Sequence, residues 1–291
     1  MTGVQTCALP IFFTPDHGEY GGAHHMMMEK WHSAYEEFTH VPLVVRFPQS
    51  LHQVPGGLRQ VSEPTCHADI LPTVLGLAGI KGDERERIQR KLRVSHPKTL
   101  TPVGADLSGL LLGEEDSIVD PATGEEREGT LFITHDTISA PLDGDRTAES
   151  GPGEDLTSYD VYLATIDKLI RTAEDGDEVG SLAPGSVRQP NHVHSVVDRH
   201  RWKLVRYFDP ADGMGDRSNN QWELYDLNTD PTEEHNLLVF DAAGDAFPTV
   251  VADDQIPEAQ PATADAIKQK AVVMNDLLIR LENRMLKEPT S

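Results

Sequence analysis

The run FFTPDHGEYGGAHHMMMEKWHSAYEE, residues 12–37, places an aromatic pair directly before a polar segment that is rich in histidines and carboxylates. Phe12 and Phe13 are typical of the end of a buried β-strand, and the residues from Thr14 to Gly18 predict a turn at its carboxyl end. In open α/β sheets, ligands bind at the carboxyl ends of the strands. The run therefore predicts an α/β fold with a ligand site in the loop that follows Phe13.

The sequence that follows this run predicts a second strand and a helix. Residues 40–48, HVPLVVRFP, form a short continuous apolar run of the kind that parallel sheets bury on both faces. Residues 69–79 predict a helix in which Asp69 caps the amino terminus, Pro72 occupies the first turn and Gly79 provides a left-handed end. Four apolar residues at helical spacing form its expected buried stripe: Ile70, Val74, Leu77 and Ala78.

Beyond this helix the composition becomes more polar. Residues 81–129 are charged and predict loops, apart from the short apolar piece DLSGLLLG at 106–113, and a domain boundary is expected near Glu115. The strand LFITHD follows at 131–136. The acidic, glycine-rich stretch 143–180 is interrupted by VYLATIDKLI, which predicts a strand or a buried helix, and its flanks predict solvated surface insertions.

The carboxyl-terminal part predicts antiparallel strands and a helix. Residues 193–209 and 222–227 are rich in β-branched and aromatic residues, and a polar loop that contains glycine separates them. Six apolar residues recur at alternating steps of four and three and predict an amphipathic helix: Ile267, Ala271, Met274, Leu278, Leu281 and Met285.

The composition limits the classes of partner. The chain has 291 residues, with 25 Lys and Arg against 48 Asp and Glu, so its formal net charge is -23. Such a surface repels a polyanion, and we therefore predict no nucleic-acid partner. A small anionic substrate stays compatible with it, because a bound cation and one lysine invert the field locally. No apolar run is long enough to cross a bilayer, which predicts no membrane span.

The first eleven residues, MTGVQTCALPI, match the translation of a common short-read sequencing adapter and are expected to be an artefactual leader. We exclude residues 1–11 from the fold prediction. The native chain would then begin upstream, so neither its compartment nor its oligomeric state is predicted. Cys7 lies within this leader, which leaves Cys66 without a partner for an intrachain disulfide.

Asp16 and His17 are candidate metal ligands at the end of the first strand. A carboxylate oxygen and a neutral imidazole nitrogen both bind divalent cations, and Gly18 allows the backbone to turn sharply after them. The alternative is an ordinary polar turn, which an Asp-His-Gly triplet forms more often than a ligand pair. None of the other acidic clusters has the spacing of a compact metal loop, so further ligands are expected from outside this sequence.

His24 and Lys30 are candidate anion contacts, since an oxyanion needs a compact cation and a hydrogen-bond donor. The run of histidines and methionines at residues 24–28 would also suit copper, but methionines beside a strand more often fill a core. Three other histidines have no partner at a diagnostic spacing and are expected to be structural: His32, His40 and His67.

Taken together, several blocks of the sequence resemble the sulfatase family within the alkaline-phosphatase-like superfamily. They are the D-H-G-E run with the Y-E-E triplet and the P-L-V-V strand that follow it, H-A-D-I-L-P-T-V-L-G-L-A-G-I, R-W-K-L-V-R-Y-F and W-E-L-Y-D-L-N-T-D-P-T-E-E-H-N-L. These blocks stand in the family's order between Thr14 and Leu238. The resemblance implies a partial alkaline-phosphatase-like α/β/α sandwich over residues 12–115. A smaller α+β subdomain with an antiparallel sheet and a carboxyl-terminal helix would follow over residues 116–291.

The same resemblance implies roles for the candidate residues. Asp16 and His17 would ligate the cation, which is calcium in most sulfatases, with manganese as an alternative. His24 and Lys30 would bind the sulfate group and act in catalysis. Related sequences often have a glycine at the position of His25, which leaves His24 or His25 as the family histidine, and the spacing to Lys30 favours His24.

One departure from the family bears on activity. Sulfatases attack with a formylglycine that is made from the first residue of a C-x-P-x-R or S-x-P-x-R motif, and this sequence contains neither: Pro10 stands one position too late after Cys7, and His67 follows Cys66. The resemblance therefore implies that the intact gene product is a sulfuric ester hydrolase with a small sulfated substrate. This chain would be its carboxyl-terminal portion and inactive alone. The alternatives are a phosphonate or phosphate ester hydrolase of the same superfamily and a non-catalytic acidic binding module.

Overall fold

A computed structural model describes residues 9–25, 33–48, 58–135, 192–208, 217, 220–240 and 247–286. Several subjects of the sequence analysis lie outside these ranges: Cys7, the methionines at 26–28, Lys30, His32, Asp136 and the acidic stretch 143–180. In chain order the elements are β1 (Ile11–Phe13), α1 (Glu36–Thr39), β2 (Val44–Arg46), α2 (Ile70–Leu77), α3 (Gly82–Ser95), α4 (Ser108–Leu112), β3 (Gly129–Thr134), β4 (His192–Asp198), β5 (Trp202–Phe208), β6 (Gln221–Asp226) and α5 (Ala264–Met285). Among these helices, none has the length and apolar character that a membrane span needs.

Strands β3 to β6 form an antiparallel sheet in which each strand pairs with the next one along the chain. Trp202 of β5 stands opposite Asp226 of β6. The predicted antiparallel pairing of the aromatic segments is therefore confirmed. The first of these segments contains two strands, because the chain turns back at residues 199–201, where Arg201 adopts a left-handed φ of 63°.

Helix α5 covers one face of this sheet. It begins after Thr263, whose side chain accepts a hydrogen bond from the Ala266 amide. The predicted apolar stripe is buried against the sheet side chains Leu204 and Leu224, with Met285 partly buried at its end. Each buried large apolar side chain stabilises the fold by about 1.5–3 kcal/mol. The mixed α/β composition, the antiparallel sheet and the carboxyl-terminal helix that were predicted are thus confirmed, whereas the boundary near residue 115 stays a prediction.

The opposite face of the sheet carries residues 33–40, which follow the predicted ligand loop. Side chains alternate between the two faces of a strand, so neighbours of the residues that contact α5 point to this face. Ala34 packs here against Val205 and Tyr207. The rings of Phe38 and Phe132 meet edge to face with their centroids 5.4 Å apart. The sheet therefore separates the helix from the segment that holds the candidate site.

Strands β1 and β2 form a second, two-stranded sheet. The predicted strand at Phe12 and Phe13 is confirmed, and Ile11, from the expected leader, is part of it. The expectation of a buried parallel arrangement is wrong, because β1 and β2 are antiparallel and the side chains of Phe13 and Val44 are more than half exposed. The side chains of a strand alternate between its two faces. Among the described residues, no third strand pairs with β1 or β2.

Helix α2 confirms the predicted helix but buries a different face. Gly79 adopts a left-handed φ of 76° at its end, as predicted. Its buried residues are Pro72, Thr73 and Gly76. The predicted stripe is wrong, since Val74 is exposed and the Thr73 hydroxyl accepts a hydrogen bond of 3.0 Å from the Leu107 amide. A polar contact to the chain before α4 therefore decides which face lies inside.

Asp69 does not cap α2 through its side chain, so that prediction is also wrong. Its buried carboxylate accepts two hydrogen bonds of 2.7 Å from the Arg127 guanidinium and one of 2.9 Å from the Cys66 amide. A bidentate pair of this kind is shorter and stronger than a neutral hydrogen bond. Asp69 thus joins the start of α2 to the residues before β3.

Helix α3 occupies part of the stretch for which loops were predicted. The helix has no buried residue, so there is no apolar stripe to indicate it. Ion pairs one turn apart, Arg87 with Glu84 and Arg90 with Glu86, stabilise it instead. The apolar piece at 106–113 contains the short helix α4.

Candidate functional site

Asp16 and His17 lie in the loop directly after β1. The Nδ1 atom of His17 is 2.7 Å from the carbonyl oxygen of Gly18. Because a carbonyl only accepts hydrogen bonds, Nδ1 carries the proton, and the lone pair of the neutral ring is on Nε2. That atom stands 3.8 Å from the Asp16 carboxylate.

This arrangement fits two ligands of one divalent cation. Ligands at bond lengths of about 2.0–2.5 Å from the same ion stand about 3–4 Å from each other. A metal-binding histidine characteristically donates its other N–H to a carbonyl or carboxylate, as His17 does to Gly18. The described residues contain no group of three His, Cys, Asp or Glu that could hold a metal, so Asp16 and His17 stay a predicted pair of ligands.

Two neighbouring elements fix the course of this loop. The His67 imidazole lies 2.9 Å from the Pro15 carbonyl. On the other side, the Gly18 amide donates a hydrogen bond of 2.8 Å to the Phe38 carbonyl. A Cβ atom on Gly18 would lie 1.9 Å from the Glu37 carbonyl oxygen, so only glycine permits this approach.

The segment 33–40, which supports the loop through Phe38, also orients His24. Its ring stacks on Tyr35 with centroids 3.7 Å apart and planes 5° apart, and its Nε2 donates a hydrogen bond of 3.2 Å to the Glu37 carboxylate. The backbone of His24 is left-handed, with φ of 52°. His25 is also left-handed, with φ of 58°, but its side chain is exposed. Left-handed non-glycine residues of this kind are uncommon and cluster at functional sites.

The structure brings three of the four predicted site residues to the segment 33–40. Asp16 and His17 are adjacent to the backbone pairing between Gly18 and Phe38, and His24 contacts the side chain of Glu37. Lys30, the fourth, lies outside the described residues. His40, expected to be structural, contacts Glu36 at 3.0 Å with a largely exposed ring.

Tyr35, which stacks on His24, is in turn held by the four-stranded sheet. Its hydroxyl donates a hydrogen bond of 3.2 Å to Glu223, and the Tyr207 hydroxyl donates one of 2.7 Å to the same carboxylate. Burial raises the pKa of Glu223, which the two tyrosine hydroxyls oppose. Burial and the Glu223 charge both raise the pKa of Tyr35, so its hydroxyl stays protonated and acts as a donor.

Helix α1 is held by a buried lysine of the sheet. Lys203 of β5 is buried, and its Nζ lies 2.9 Å from carboxylate oxygens of both Glu36 and Glu233. Glu233 also accepts a hydrogen bond of 2.5 Å from the Glu36 amide. Burial acts to raise the pKa of Glu36, but hydrogen bonds from His40 and Lys203 lower it to about 2. Burial raises the pKa of Glu233 to about 7, against the opposing charge of Lys203.

The residues that anchor the site gave no local signal in the sequence. Glu36 stands 167 positions from Lys203 and 197 positions from Glu233. The triplet Tyr35-Glu36-Glu37 was recognised only as part of a family block. A period in the sequence indicates which face of a strand is apolar, but it does not indicate which distant carboxylate a buried lysine meets.

Cys66 has none of the properties of an activated nucleophile. Burial and the neighbouring Asp69 carboxylate raise the pKa of its thiol to about 11. Reactive cysteines instead have a lowered pKa in an electropositive setting. The exclusion of Cys66 as a nucleophile, made from its sequence context, agrees with this environment.

Comparison with known proteins identifies the segment that carries the candidate site. The sulfatase family model matches residues 10–80. An uncharacterized sulfatase, YidJ of Escherichia coli K12, is 38% identical over 88 residues, which are 30% of this chain and 16% of that protein. The crystal structure of a phosphonate monoester hydrolase of Agrobacterium radiobacter is 22% identical, with a TM-score of 0.42 over 78% of this chain and 30% of that one. This chain thus spans less than a third of either protein, and the family match confirms the resemblance for residues 10–80.

Proposed function

We propose that this chain, which carries a sulfatase-family segment over residues 10–80, is part of a metal-dependent enzyme that hydrolyses sulfate esters. The observation that supports the proposal most is the geometry of Asp16 and His17 within that segment. The Gly18 carbonyl fixes one nitrogen of His17 as a donor, and the other nitrogen faces the Asp16 carboxylate. A carboxylate oxygen ligand suits calcium and also manganese.

His24 and Lys30 would bind the sulfate group beside the cation. When bound, the cation supplies positive charge that polarises the ester. The stacking of His24 on Tyr35 and its hydrogen bond to Glu37 hold the ring in one orientation, which a substrate contact requires. Lys30 is assigned from its position in the family block, and a compact ammonium suits a tetrahedral oxyanion.

The nucleophile is proposed to belong to another part of the intact gene product. The sequence has no C-x-P-x-R or S-x-P-x-R motif to provide a formylglycine. Large apolar side chains that are exposed on β1, β2 and α2 support a packing partner from the rest of that product. These exposed residues are Ile11, Phe13, Val44, Leu71 and Val74. We therefore propose that the 291-residue chain alone is inactive.

The test compares the 291-residue chain with the longer gene product proposed above. We expect the 291-residue chain to hydrolyse no aryl sulfate above background, and the longer protein to prefer aryl sulfates over phosphate and phosphonate monoesters of the same alcohol. A preference for either phosphorus ester would replace the sulfatase assignment with the alternative in the same superfamily. Hydrolysis by the 291-residue chain that survives loss of both cysteines would contradict the proposed division of the site.

Variants of the longer protein test the residue roles. Asp16→Asn and His17→Ala should lower metal content and activity together, whereas His96→Ala, at an exposed position after α3, should change neither. Lys30→Ala should keep the metal but lose activity by about two to three orders of magnitude, as removal of one oxyanion donor does. Full metal occupancy in both the Asp16 and the His17 variants would exclude these residues as ligands.

A further inference from the structure

We propose that Lys203 is a positioning residue for the Asp16–His17 loop and for His24, and that it acts through Glu36 and Glu233. Lys203 belongs to the four-stranded sheet and lies outside the segment that matches the family model. The proposal rests on the proposed function only in treating the loop as a metal and substrate site. The buried charge of Lys203 and that loop are mechanically connected.

The connection begins with the cost of burying an ammonium group. Lys203 is fully buried, and an unpaired charge in such a place costs several kcal/mol. Its Nζ contacts Glu36 and Glu233 at 2.9 Å and donates a hydrogen bond of 3.3 Å to the Thr39 hydroxyl. Two of these three partners belong to α1, so the helix cannot leave the sheet without exposing or unpairing the lysine.

Helix α1 passes this constraint to the loop through its backbone. The amides of Gly18 and Glu19 donate hydrogen bonds of 2.8 and 3.1 Å to the carbonyls of Phe38 and Glu37. The helix has only four residues and few intrahelical hydrogen bonds of its own. Its position is therefore set by tertiary contacts, and the Gly18 pairing that supports His17 depends on them.

The same helix orients His24 through a side chain. Glu37 accepts the hydrogen bond from His24 Nε2, and Glu37 is adjacent to Glu36, which Lys203 holds. Glu233 reinforces the connection by accepting the Glu36 amide, although its own backbone is left-handed with φ of 54°. Such a strained conformation persists only where surrounding contacts determine it.

Hydrogen exchange in the 291-residue chain tests the proposal without metal or substrate. Lys203→Met removes the charge and keeps much of the side-chain volume. We expect the exchange of the Gly18 and Glu19 amides to accelerate about tenfold or more relative to the Leu204 and Val205 amides of β5, because the loop loses its support while the sheet stays folded. The His24 ring resonances should also move, since they report its stacking on Tyr35.

Lys270→Met is the matched control. Lys270 lies in α5, on the opposite face of the same sheet, and its Nζ pairs with Asp198 at 2.5 Å. Lys270→Met also removes one positive charge, and the pair of Lys270 with Asp198 is partly buried. In this variant we expect the Gly18 and Glu19 amides to exchange at the parent rate relative to β5. Equal acceleration by both substitutions would show a general loss of stability and overturn the proposal.

A double variant tests the route through Glu36. If Lys203 acts through this carboxylate, Lys203→Met should accelerate Gly18 and Glu19 exchange much less in a Glu36→Gln background than in the parent. Independent, multiplying effects would overturn this route. Should Lys203→Met fail to fold, as circular dichroism would show, Glu36→Gln alone removes the ion pair with Lys203 and carries the comparison with Lys270→Met. Because these measurements need no catalysis, a failed sulfatase assay leaves their outcome intact, and the reverse also holds.

Discussion

Two regions of the molecule are stabilised by different forces. The sheet–helix unit, strands β3 to β6 with α5, buries a continuous apolar cluster. The site segment, the described residues between 9 and 48, contains two short strands with exposed apolar side chains. It is joined to the sheet by a small apolar cluster and by carboxylates, tyrosine hydroxyls and one lysine. Apolar burial is insensitive to direction, whereas hydrogen bonds and ion pairs fix angles and distances. The region without proposed chemistry thus supplies stability, and the region with it depends on directional contacts to that support.

The largest expected effect is on the sheet–helix unit. Leu278→Ala empties a fully buried position between α5 and the sheet. We expect a loss of about 3–4 kcal/mol in the free energy of unfolding, because both transfer energy and packing are lost. Urea denaturation monitored by circular dichroism measures this loss.

Val44→Ala is the comparison in the site segment. Val44 is apolar but 53% exposed, so its truncation should cost less than about 0.5 kcal/mol. A loss for Val44→Ala as large as that for Leu278→Ala would show that β1 and β2 contribute to the same core and would remove the contrast between the two regions.

A second prediction concerns the polar contact inside the sheet–helix unit. Glu282 of α5 contacts His194, Arg206 and Arg217 at 2.8–3.2 Å. Burial acts to raise the pKa of Glu282, but the hydrogen bond from His194 and the two arginines lower it below the ordinary value. Glu282→Gln should therefore cost about 3 kcal/mol of unfolding free energy at pH 7, as loss of a buried ionic partner does.

The pH dependence gives the sign of this contribution. A carboxylate with a lowered folded pKa stabilises above its unfolded pKa and loses that contribution as the pH falls through the folded pKa. The difference between Glu282→Gln and the parent should shrink below pH 4.5 and be absent for Asp254→Asn, at an exposed position. A difference that stays constant down to pH 2 would contradict an ionic role for Glu282.

The sheet–helix unit was the more predictable of the two regions, for a physical reason. Ile267, Met274 and Leu278 recur at the helical period because one face of α5 meets an apolar sheet, and the sequence records that period directly. The aromatic strands are recognisable for the same reason. The turn between β4 and β5 was missed because Arg201, rather than glycine, adopts the left-handed conformation there.

The support of the site segment was not predictable from the sequence, whereas the closeness of its two proposed ligands was. Asp16 and His17 are neighbours in the sequence, so their proximity needs no fold. The burial of β2 was predicted wrongly because an apolar run indicates what could be buried, not what covers it. The contacts of Lys203 with Glu36 and Glu233 join parts of the chain that are far apart, and they follow from the tertiary fold rather than from any local pattern.

A third prediction separates the two carboxylates on Lys203. Burial raises the pKa of Glu233 to about 7, against the Lys203 charge, whereas hydrogen bonds from His40 and Lys203 outweigh burial and lower that of Glu36 to about 2. An acid whose folded pKa is raised destabilises the fold as the pH rises from its unfolded pKa through the folded one. Between pH 4.5 and 7, Glu233 should therefore remove on the order of 2 kcal/mol of unfolding free energy.

Glu233→Gln and Glu36→Gln should change the pH profile in opposite directions. Glu233→Gln should flatten the fall in stability between pH 4.5 and 7, and Glu36→Gln should flatten the rise between pH 2 and 4.5. Urea midpoints at each pH measure both slopes. Identical pH profiles of the two variants would show that Glu36 and Glu233 titrate as one unit. The two carboxylates would then not support the site segment separately.

The smallest effect is expected at His25, the neighbour of His24. His25 adopts φ of 58° with an exposed side chain, and this region of the backbone favours glycine by about 1 kcal/mol. Glycine also gains entropy in the unfolded chain, so His25→Gly should leave the unfolding free energy unchanged or raise it by less than about 1 kcal/mol. His25→Val should lower the unfolding free energy, since a β-branched residue fits this conformation poorly.

His24 has a similar φ of 52°, but His24→Gly should cost about 1 kcal/mol because it removes the stacking on Tyr35 and the hydrogen bond to Glu37. Paired urea curves measure all three variants. A larger loss for His25→Gly than for His24→Gly would contradict the role of Tyr35 and Glu37 in holding the His24 ring.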